Sequence, residues 1–168
     1  ANEDLARTLE AIAAGGPGAF YEGPVGKAIV AEVKGRGGLL DEADLAGYRA
    51  IVREPVRGTY RGVEILSASP PTAGGTALVE LLNVLEEFDL AGWGRGDVRT
   101  LHVIAEASKM AFVDKAATNG DPDFVRVPVE ALASKEHAKS LAARVRLDAA
   151  RFDYEAGAFA ASDSPSTS

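Results

Sequence analysis

The chain has 168 residues, 46% of them apolar, and a formal net charge of −7. This size is sufficient for one domain with a substantial core. The negative charge argues against binding to nucleic acid or to an anionic membrane, because both attract basic surfaces. The absence of cysteine excludes disulfides, thiolate catalysis and cysteine metal sites. No segment reaches the roughly 20 apolar residues of a membrane-spanning helix.

Three helices are predicted in the first 48 residues. The first has apolar residues at helical spacing, at Leu5, Leu9 and Ile12. The Gly-Gly-Pro-Gly run at residues 15–18 should end it. Residues 25–34 form the second helix, and Asp41 is a good N-cap for a short third helix that carries Leu45 and Tyr48.

A β-hairpin is predicted next. Residues 50–56 and 59–66 are rich in β-branched residues and tyrosine, and the Arg-Gly pair at residues 57–58 suits a tight turn between them. The two prolines at residues 70–71 cannot donate backbone hydrogen bonds. The second strand must therefore end before them.

Helices fill most of the remaining sequence. A glycine hinge at residues 74–75 precedes an amphipathic helix with the apolar stripe Leu78, Leu81, Leu82, Leu85 and Phe88. Asp97 should cap a long helix, and Ser134 should cap a last helix that runs through Leu141 to Val145. The order of helices, one hairpin and more helices predicts an α+β fold.

Two polar groups on the predicted long helix are candidates for chemistry. His102 and Glu106 lie four residues apart and share a face, so they could form a proton relay or half of a metal site. An exposed polar pair is the favoured interpretation. A zinc site would need a third ligand, and His137 is the only other histidine.

Two further carboxylate motifs allow both a functional and a structural interpretation. Asp121 and Asp123 flank Pro122 and could direct two carboxylates at a metal or another cation, but turn formation or helix capping is favoured. Asp114 and Lys115 indicate an ion pair at the surface of the long helix.

Hydroxyl and glycine motifs complete the set of candidates. Ser67, Ser69 and Thr72 lie near a turn, without the Gly-x-Ser-x-Gly pattern of a nucleophile elbow. The glycines at residues 74–75 could offer free N–H groups to a phosphate, but their spacing matches neither a dinucleotide-binding motif nor a P-loop. The residues alone therefore provide no complete active site.

Several short motifs, in a specific order, connect the chain to a known family. They are Tyr60-Arg61-Gly62, Pro70-Pro71-x-x-Gly74-Gly75, Leu82-Asn83-x-Leu85-Glu86, Asp114, and Gly120-Asp121-Pro122-Asp123-Phe124. In their order and spacing the chain resembles the C-terminal half of the large subunit of a γ-glutamyltranspeptidase, an N-terminal-nucleophile hydrolase. The resemblance implies part of a four-layer αββα fold, represented here by helices and a β-hairpin, in which these motif positions are structural.

The resemblance also divides the chain. Residues 1–152 would be the C-terminal part of the large-subunit domain, and residues 153–168 a flexible tail that leads to an autoprocessing site. Two departures from the family pattern stand out. Thr72-Ala73 replaces the usual Ser-Ser, and Lys115 replaces the usual Arg. They bear on substrate detail and partner geometry rather than on membership.

The resemblance places catalysis on another polypeptide. Members of the family are made as one precursor that cuts itself before a threonine, so Ser168 would be the processing residue. The nucleophile would be a threonine immediately after Ser168, the first residue of a small subunit, with its own α-amine as base. No catalytic residue, metal or cofactor is then expected in this chain, and its substrate-binding residues stay unknown. The expected partners are that small subunit, in a heterodimer, and a γ-glutamyl small molecule.

The implied reaction is cleavage of γ-glutamyl amides such as glutathione, with transfer to water or amino acids. This chain alone would be inactive. Two alternatives stay open: a cephalosporin-acylase-like or poly-γ-glutamate-processing amidohydrolase, and a non-catalytic scaffold or interaction module. The resemblance implies a periplasmic or secreted protein, and a cytoplasmic location stays open.

Overall fold

The computed structural model describes residues 2–157. It divides into two compact units, one up to Val52 and one from Arg53 onward. The described elements are α1 (Glu3–Tyr21), α2 (Pro24–Gly35), α3 (Glu42–Gly47), β1 (Val56–Tyr60), β2 (Val63–Ser67), α4 (Ala73–Glu86), α5 (Leu90–Trp93), α6 (Val98–Thr118), α7 (Val129–Leu132) and α8 (Lys135–Ala142). Helices with one two-stranded antiparallel sheet agree with the predicted α+β class.

The first unit consists of α1, α2 and α3. The prediction that residues 15–18 end the first helical segment is confirmed, because α1 consists of two helical segments joined at a kink in this run. Gly16 leaves the helical conformation, with φ 61° and ψ −157°, and a second helical segment continues from there to Tyr21. Pro17 follows the break, where its fixed φ suits a first helical turn. The predicted cap of α3 is confirmed, since Asp41 and Asp44 exchange side-chain-to-backbone hydrogen bonds in a capping box.

The second unit contains the hairpin, whose predicted register was wrong. The turn lies at Arg61 and Gly62, which both have positive φ, 50° and 82°. This is the combination that a tight turn between twisted strands requires. The predicted turn residue Gly58 lies inside β1, where a Cβ would be 2.5 Å from Cγ1 of Val79. Gly58 therefore permits close packing on α4, and no strand is assigned to residues 50–55.

Helix α4 begins earlier than the apolar stripe predicted. It starts at Ala73, so Gly74 and Gly75 belong to its first turn and are not a hinge. A Cβ on Gly75 would lie 1.9 Å from the carbonyl oxygen of Ala68. The glycine thus lets the helix start directly against the chain that leaves β2. The peptide bond between Pro70 and Pro71 in this connection is cis.

The core of the second unit lies where α4 meets α6 and α8. Its buried side chains are Val84, Leu85, Val103, Ala107, Met110, Ala138 and Leu141. The predicted caps of α6 and α8 are confirmed, since Asp97 accepts from Arg99 N and Ser134 accepts from His137 N. Helix α8 ends at Ala142, before the predicted Val145. Two short helices, α5 and α7, were not predicted.

No helix within residues 2–157 is long and apolar enough to cross a membrane. The chain after α8 returns to α6. Residues 151–157 lie along this helix, where Tyr154 and Gly157 donate hydrogen bonds to carboxylates of α6. Residues 158–168, including most of the segment predicted as a mobile tail, lie outside the described residues.

Candidate functional site

Helix α6 carries two carboxylates that face the core, Glu106 and Asp114, each 1% exposed. They lie eight residues apart, close to two helical turns, so both point to the side of α6 that packs on its neighbours. Burial of a charged carboxylate is costly unless donors surround it. The surroundings of each carboxylate therefore decide what it can do.

Glu106 is satisfied by three donors. Lys109 Nζ donates to Oε1 at 2.6 Å, and Oε2 accepts from Tyr154 OH at 2.7 Å and from Arg151 N at 3.2 Å. Burial acts to raise the pKa of Glu106, but these hydrogen bonds outweigh it and lower the pKa. Burial and the adjacent carboxylate raise the pKa of Tyr154 to about 12. Glu106 is thus a charged anchor for residues 151–154.

The predicted pairing of His102 with Glu106 was wrong. Glu106 is buried, so the two side chains are not an exposed polar pair. His102 Nε2 instead donates to the carbonyl oxygen of Arg146 at 2.7 Å. Sequence spacing placed both residues near one face of α6, but it could not show that each has a different partner from beyond α8.

Asp114 lies in a second, more acidic cluster. His137 Nε2, from α8, is 2.8 Å from Asp114 Oδ2, and Gly157 N donates to Oδ1 at 2.6 Å. Glu80, from α4, is 1% exposed, and its Oε1 lies 3.6 Å from His137 Nε2. One ligand atom from each of Glu80, Asp114 and His137 lies within 4.8 Å of the other two. Three helices thus place two carboxylates and one imidazole together.

The protonation states in this cluster are strongly coupled. Burial raises the pKa of Glu80 to about 7. Burial also acts to lower the pKa of His137, but the two carboxylates outweigh it and raise this pKa to about 9. Burial acts to raise the pKa of Asp114, and hydrogen bonds, first that from His137, outweigh it and lower the pKa. At neutral pH the imidazole is a cation beside an ionised Asp114, and Glu80 is partly protonated.

The environment predicted for Asp114 was wrong. It was expected in a surface ion pair with Lys115, but it is buried, and the Lys115 ammonium lies 4.9 Å from the centroid of the Phe112 ring. The sequence interpretation also missed Glu80. The available signal was a polar interruption of the buried face of α4, where Thr76, Glu80 and Asn83 lie among valines and leucines.

A third polar cluster joins the hairpin to α4 and α8. Lys135 Nζ donates to the carbonyl oxygen of Thr59 and to Oδ1 of Asn83, both at 2.6 Å, and to Glu86. Glu86 also accepts from Arg61 N. The hydrogen bond from Lys135 is the main cause that lowers the pKa of Glu86. The Leu-Asn-x-Leu-Glu motif thus has a packing role here.

The cation predicted beside Asp121 and Asp123 is a side chain of the same protein, Arg53. Arg53 NH2 lies 2.9 Å from Asp123 Oδ1 and 3.6 Å from Asp121 Oδ1. Asp123 N donates to Asp121 Oδ1 at 3.0 Å, which closes the turn around Pro122. A Cβ on Gly120 would lie 2.4 Å from Cγ2 of Val125. The guanidinium of Arg53 occupies the position that sequence reasoning gave to a metal or another cation.

The remaining predicted positions lie around the start of α4. Pro70 is buried, and the carbonyl oxygen of Pro71 accepts from Asn119 Nδ2 at 3.2 Å. Thr72 N donates to the carbonyl oxygen of Ser69, and the Thr72 side chain makes no capping bond. Ser67 ends β2. The proposed processing residue Ser168 lies outside the described residues.

Comparison with known proteins places this arrangement in a family. The sequence model described as Gamma-glutamyltranspeptidase matches residues 1–168. The chain belongs to the γ-glutamyltranspeptidase family. The family is one of N-terminal-nucleophile hydrolases, in agreement with the resemblance seen in the sequence.

Two curated relatives match equally well. The glutathione hydrolase proenzyme of Escherichia coli (strain K12) is 43% identical over 148 residues, which cover 88% of this chain and 26% of that protein. The acylase ACY 1 proenzyme of Pseudomonas sp. (strain SE83) gives the same identity and coverage. The chain therefore spans about a quarter of the length of these relatives.

Solved structures show the same relationship. The γ-glutamyltranspeptidase of Helicobacter pylori is 42% identical with a TM-score of 0.83, over 89% of this chain and 43% of that chain. The cephalosporin acylase of Bacillus halodurans is 33% identical with a TM-score of 0.76, over 84% of this chain and 26% of that chain. Both kinds of enzyme share this fold segment.

Proposed function

We propose that this chain is the C-terminal part of the large subunit of an enzyme that cleaves γ-glutamyl amides such as glutathione. The observation that carries the proposal is the 43% identity to a glutathione hydrolase proenzyme over 88% of the chain. The fold similarity to a γ-glutamyltranspeptidase, with a TM-score of 0.83, supports it. The enzyme transfers the γ-glutamyl group to water or to an amino acid.

The nucleophile comes from a companion small subunit of the same precursor, with which this chain forms a heterodimer. A threonine hydroxyl attacks the γ-glutamyl carbonyl, and the α-amine of that threonine accepts the hydroxyl proton and returns it to the leaving amine. Water or an acceptor amine then releases the group from the acyl-enzyme. Glu106 pairs with Lys109 and Lys135 pairs with Glu86 within the described residues, which supports a structural role for this chain.

The small subunit arises when the precursor cleaves itself after Ser168. The threonine hydroxyl attacks the Ser168 carbonyl, an ester replaces the peptide bond, and the amide nitrogen takes the hydroxyl proton and becomes the free α-amine. Water then hydrolyses the ester. Residues 1–152 belong to the folded subunit, and residues 153–168 lead to the cleavage site, with Tyr154 and Gly157 at the start of this segment bonded to α6. The names of the curated relatives, which are proenzymes, support this proposal.

The test is an assay of the full-length precursor that contains this chain. We expect two polypeptides by intact mass and release of p-nitroaniline from a γ-glutamyl anilide. Replacement of the threonine after Ser168 by alanine should abolish both. Full activity in that variant, or an uncleaved precursor that is fully active, would refute the mechanism.

An acylase that acts on cephalosporin side chains is the second candidate. Its support is specific, because the acylase ACY 1 proenzyme matches with the same identity as the glutathione hydrolase. Comparison of kcat/KM for glutaryl-cephalosporin and for a γ-glutamyl anilide separates the two. We expect the γ-glutamyl substrate to be preferred, and a higher value for the cephalosporin would favour the acylase.

We also propose a periplasmic or secreted location, which the same resemblance supports. The relatives compared above are bacterial proteins. Immunodetection of the native protein in periplasmic and culture-medium fractions tests this proposal, with a cytoplasmic enzyme as control. Detection of the protein only in the fraction that contains the cytoplasmic enzyme would contradict this proposal.

A further inference from the structure

Among residues 2–157, the cluster of Glu80, Asp114 and His137 joins two carboxylates to one imidazole. Asp114 accepts from His137 and from Gly157 N, so it is satisfied. Glu80 Oε1 is buried and makes no hydrogen bond among the described residues. A buried carboxylate oxygen without a donor is costly, and such an oxygen in a native protein calls for a water molecule, a proton or an ion.

A second orphan oxygen lies on the same helix. Thr76 Oγ1 is also buried without a hydrogen-bond partner among the described residues. Thr76 and Glu80 are four residues apart on α4, so their side chains are on one face. The unsatisfied groups of the described core thus lie on the side of α4 that carries the cluster.

The three side chains offer a ligand set that a divalent metal ion accepts. Two carboxylates and an imidazole are ligands that zinc-class ions accept, at about 2.0–2.2 Å, which sets tetrahedral ligand atoms about 3.4 Å apart. Here His137 Nε2 is 2.8 Å from Asp114 Oδ2 and 3.6 Å from Glu80 Oε1. The shorter separation is a direct hydrogen bond, so an ion at this site would move His137 and Asp114 apart and take the place of the proton between them.

We propose that Glu80, Asp114 and His137 bind one divalent transition-metal ion of the zinc class. The ion brings two positive charges to a cluster of two carboxylates and so offsets the cost of their burial. It replaces the proton on His137, and Thr76 or a water molecule provides a fourth ligand.

The role of this ion is structural. Its ligands come from α4, α6 and α8, so bound metal cross-links the three helices that form the core of the second unit. Asp114 also holds Gly157 N, which connects the site to the chain after α8. The proposal is independent of the γ-glutamyl reaction, since none of these residues was given a part in that chemistry.

The test uses the full-length protein after removal of metals with a chelator. Titration with Zn²⁺ by calorimetry should show one site that is lost in both Glu80→Gln and His137→Gln. Each variant should bind at least about tenfold more weakly, because even the loss of an outer-shell partner costs 10–100-fold. Glu136→Gln changes an exposed acid next to His137 and should bind like the wild type. Co²⁺ in place of Zn²⁺ should give visible absorption typical of tetrahedral coordination in the wild type but not in Glu80→Gln.

Two results would overturn the proposal. One is a wild-type protein that binds no Zn²⁺, which would mean that a proton or water satisfies Glu80. The other is binding that is equally tight in Glu80→Gln and Glu136→Gln, which would place the metal elsewhere. The wild-type titration decides even if a variant fails to fold. The γ-glutamyl assay of the same wild-type sample is a separate readout, so failure of the metal site and failure of the proposed function are distinguishable.

Discussion

The two buried carboxylates of α6 show opposite solutions to the same problem. Glu106 and Asp114 are equally buried on one helix. Glu106 is matched one to one by the Lys109 ammonium and receives two further hydrogen bonds. Asp114 shares a single imidazole with a second carboxylate, Glu80. The number of positive charges per carboxylate, rather than burial, therefore separates a completed anchor from a cluster that still needs a cation.

Removal of Lys109, the cation that pairs with Glu106, should cause the largest loss of stability. Lys109→Met leaves Glu106 buried without a counter-charge, and loss of one partner of a buried pair costs about 3 kcal/mol, near the low end of the usual range because Lys109 is partly exposed. The shift of the urea denaturation curve of the full-length protein measures it. Lys115→Met, which removes a cation that stacks on Phe112, should cost at most about 1 kcal/mol. Equal losses in both variants would contradict the role of Lys109.

Neutralisation of Glu106 and neutralisation of Glu80 should have different effects on stability. Glu106→Gln removes charge-assisted hydrogen bonds and should lower the free energy of unfolding by about 2 kcal/mol. Glu80→Gln, in metal-free protein, removes a buried carboxylate with an unsatisfied oxygen and should change it by less than about 1 kcal/mol. Thermal denaturation of both variants tests the contrast. A larger loss of unfolding free energy in Glu80→Gln than in Glu106→Gln would contradict the proposed difference between the two carboxylates.

Low pH should abolish the contribution of Glu106 to the free energy of unfolding. Its pKa in the folded protein is lower than the ordinary value of 4.5, so its stabilisation is fully present above pH 4.5 and is lost as the pH falls through the folded pKa. The difference in unfolding free energy between wild type and Glu106→Gln should therefore be constant from pH 7 to pH 6 and should shrink in more acidic solution. A difference that stays constant at a pH below the folded pKa would show that Glu106 acts by packing alone.

The smallest expected effect concerns a single hydroxyl. Tyr154→Phe removes the hydrogen bond to Glu106 Oε2 and keeps the contacts of the ring with Arg144 and Arg151. We expect a loss of about 1 kcal/mol. Hydrogen exchange of the amides in residues 151–157 should become faster. Tyr48→Phe, at an exposed position, is the matched control and should change neither quantity. No change in exchange for Tyr154→Phe would separate this segment from Glu106.

Local rules in the sequence predicted the starts of α3, α6 and α8 but not the contacts between helices. Asp97 and Ser134 cap α6 and α8 as expected, because a cap depends on residues two or three positions away. The turn was misplaced because Gly58 is required by Val79 on α4, a contact that the local pattern does not contain.

The acidic cluster was beyond prediction for the same reason. Glu80, Asp114 and His137 come from three helices, and no short spacing joins them. The family motif included Asp114 as a structural position, and the sequence pattern predicted a surface ion pair with Lys115. Only the packing of α4, α6 and α8 shows that this carboxylate is buried beside a second one.

The most direct measurement is the Zn²⁺-dependent shift in melting temperature of the metal-free full-length protein, compared among wild type, Glu80→Gln and Glu106→Gln. A ligand at 100 times its Kd adds about 2.7 kcal/mol to the stability of a folded protein. The charge comparison predicts a clear upward shift in wild type and in Glu106→Gln, and little or none in Glu80→Gln. An equal shift in all three proteins, or none in the wild type, would contradict it.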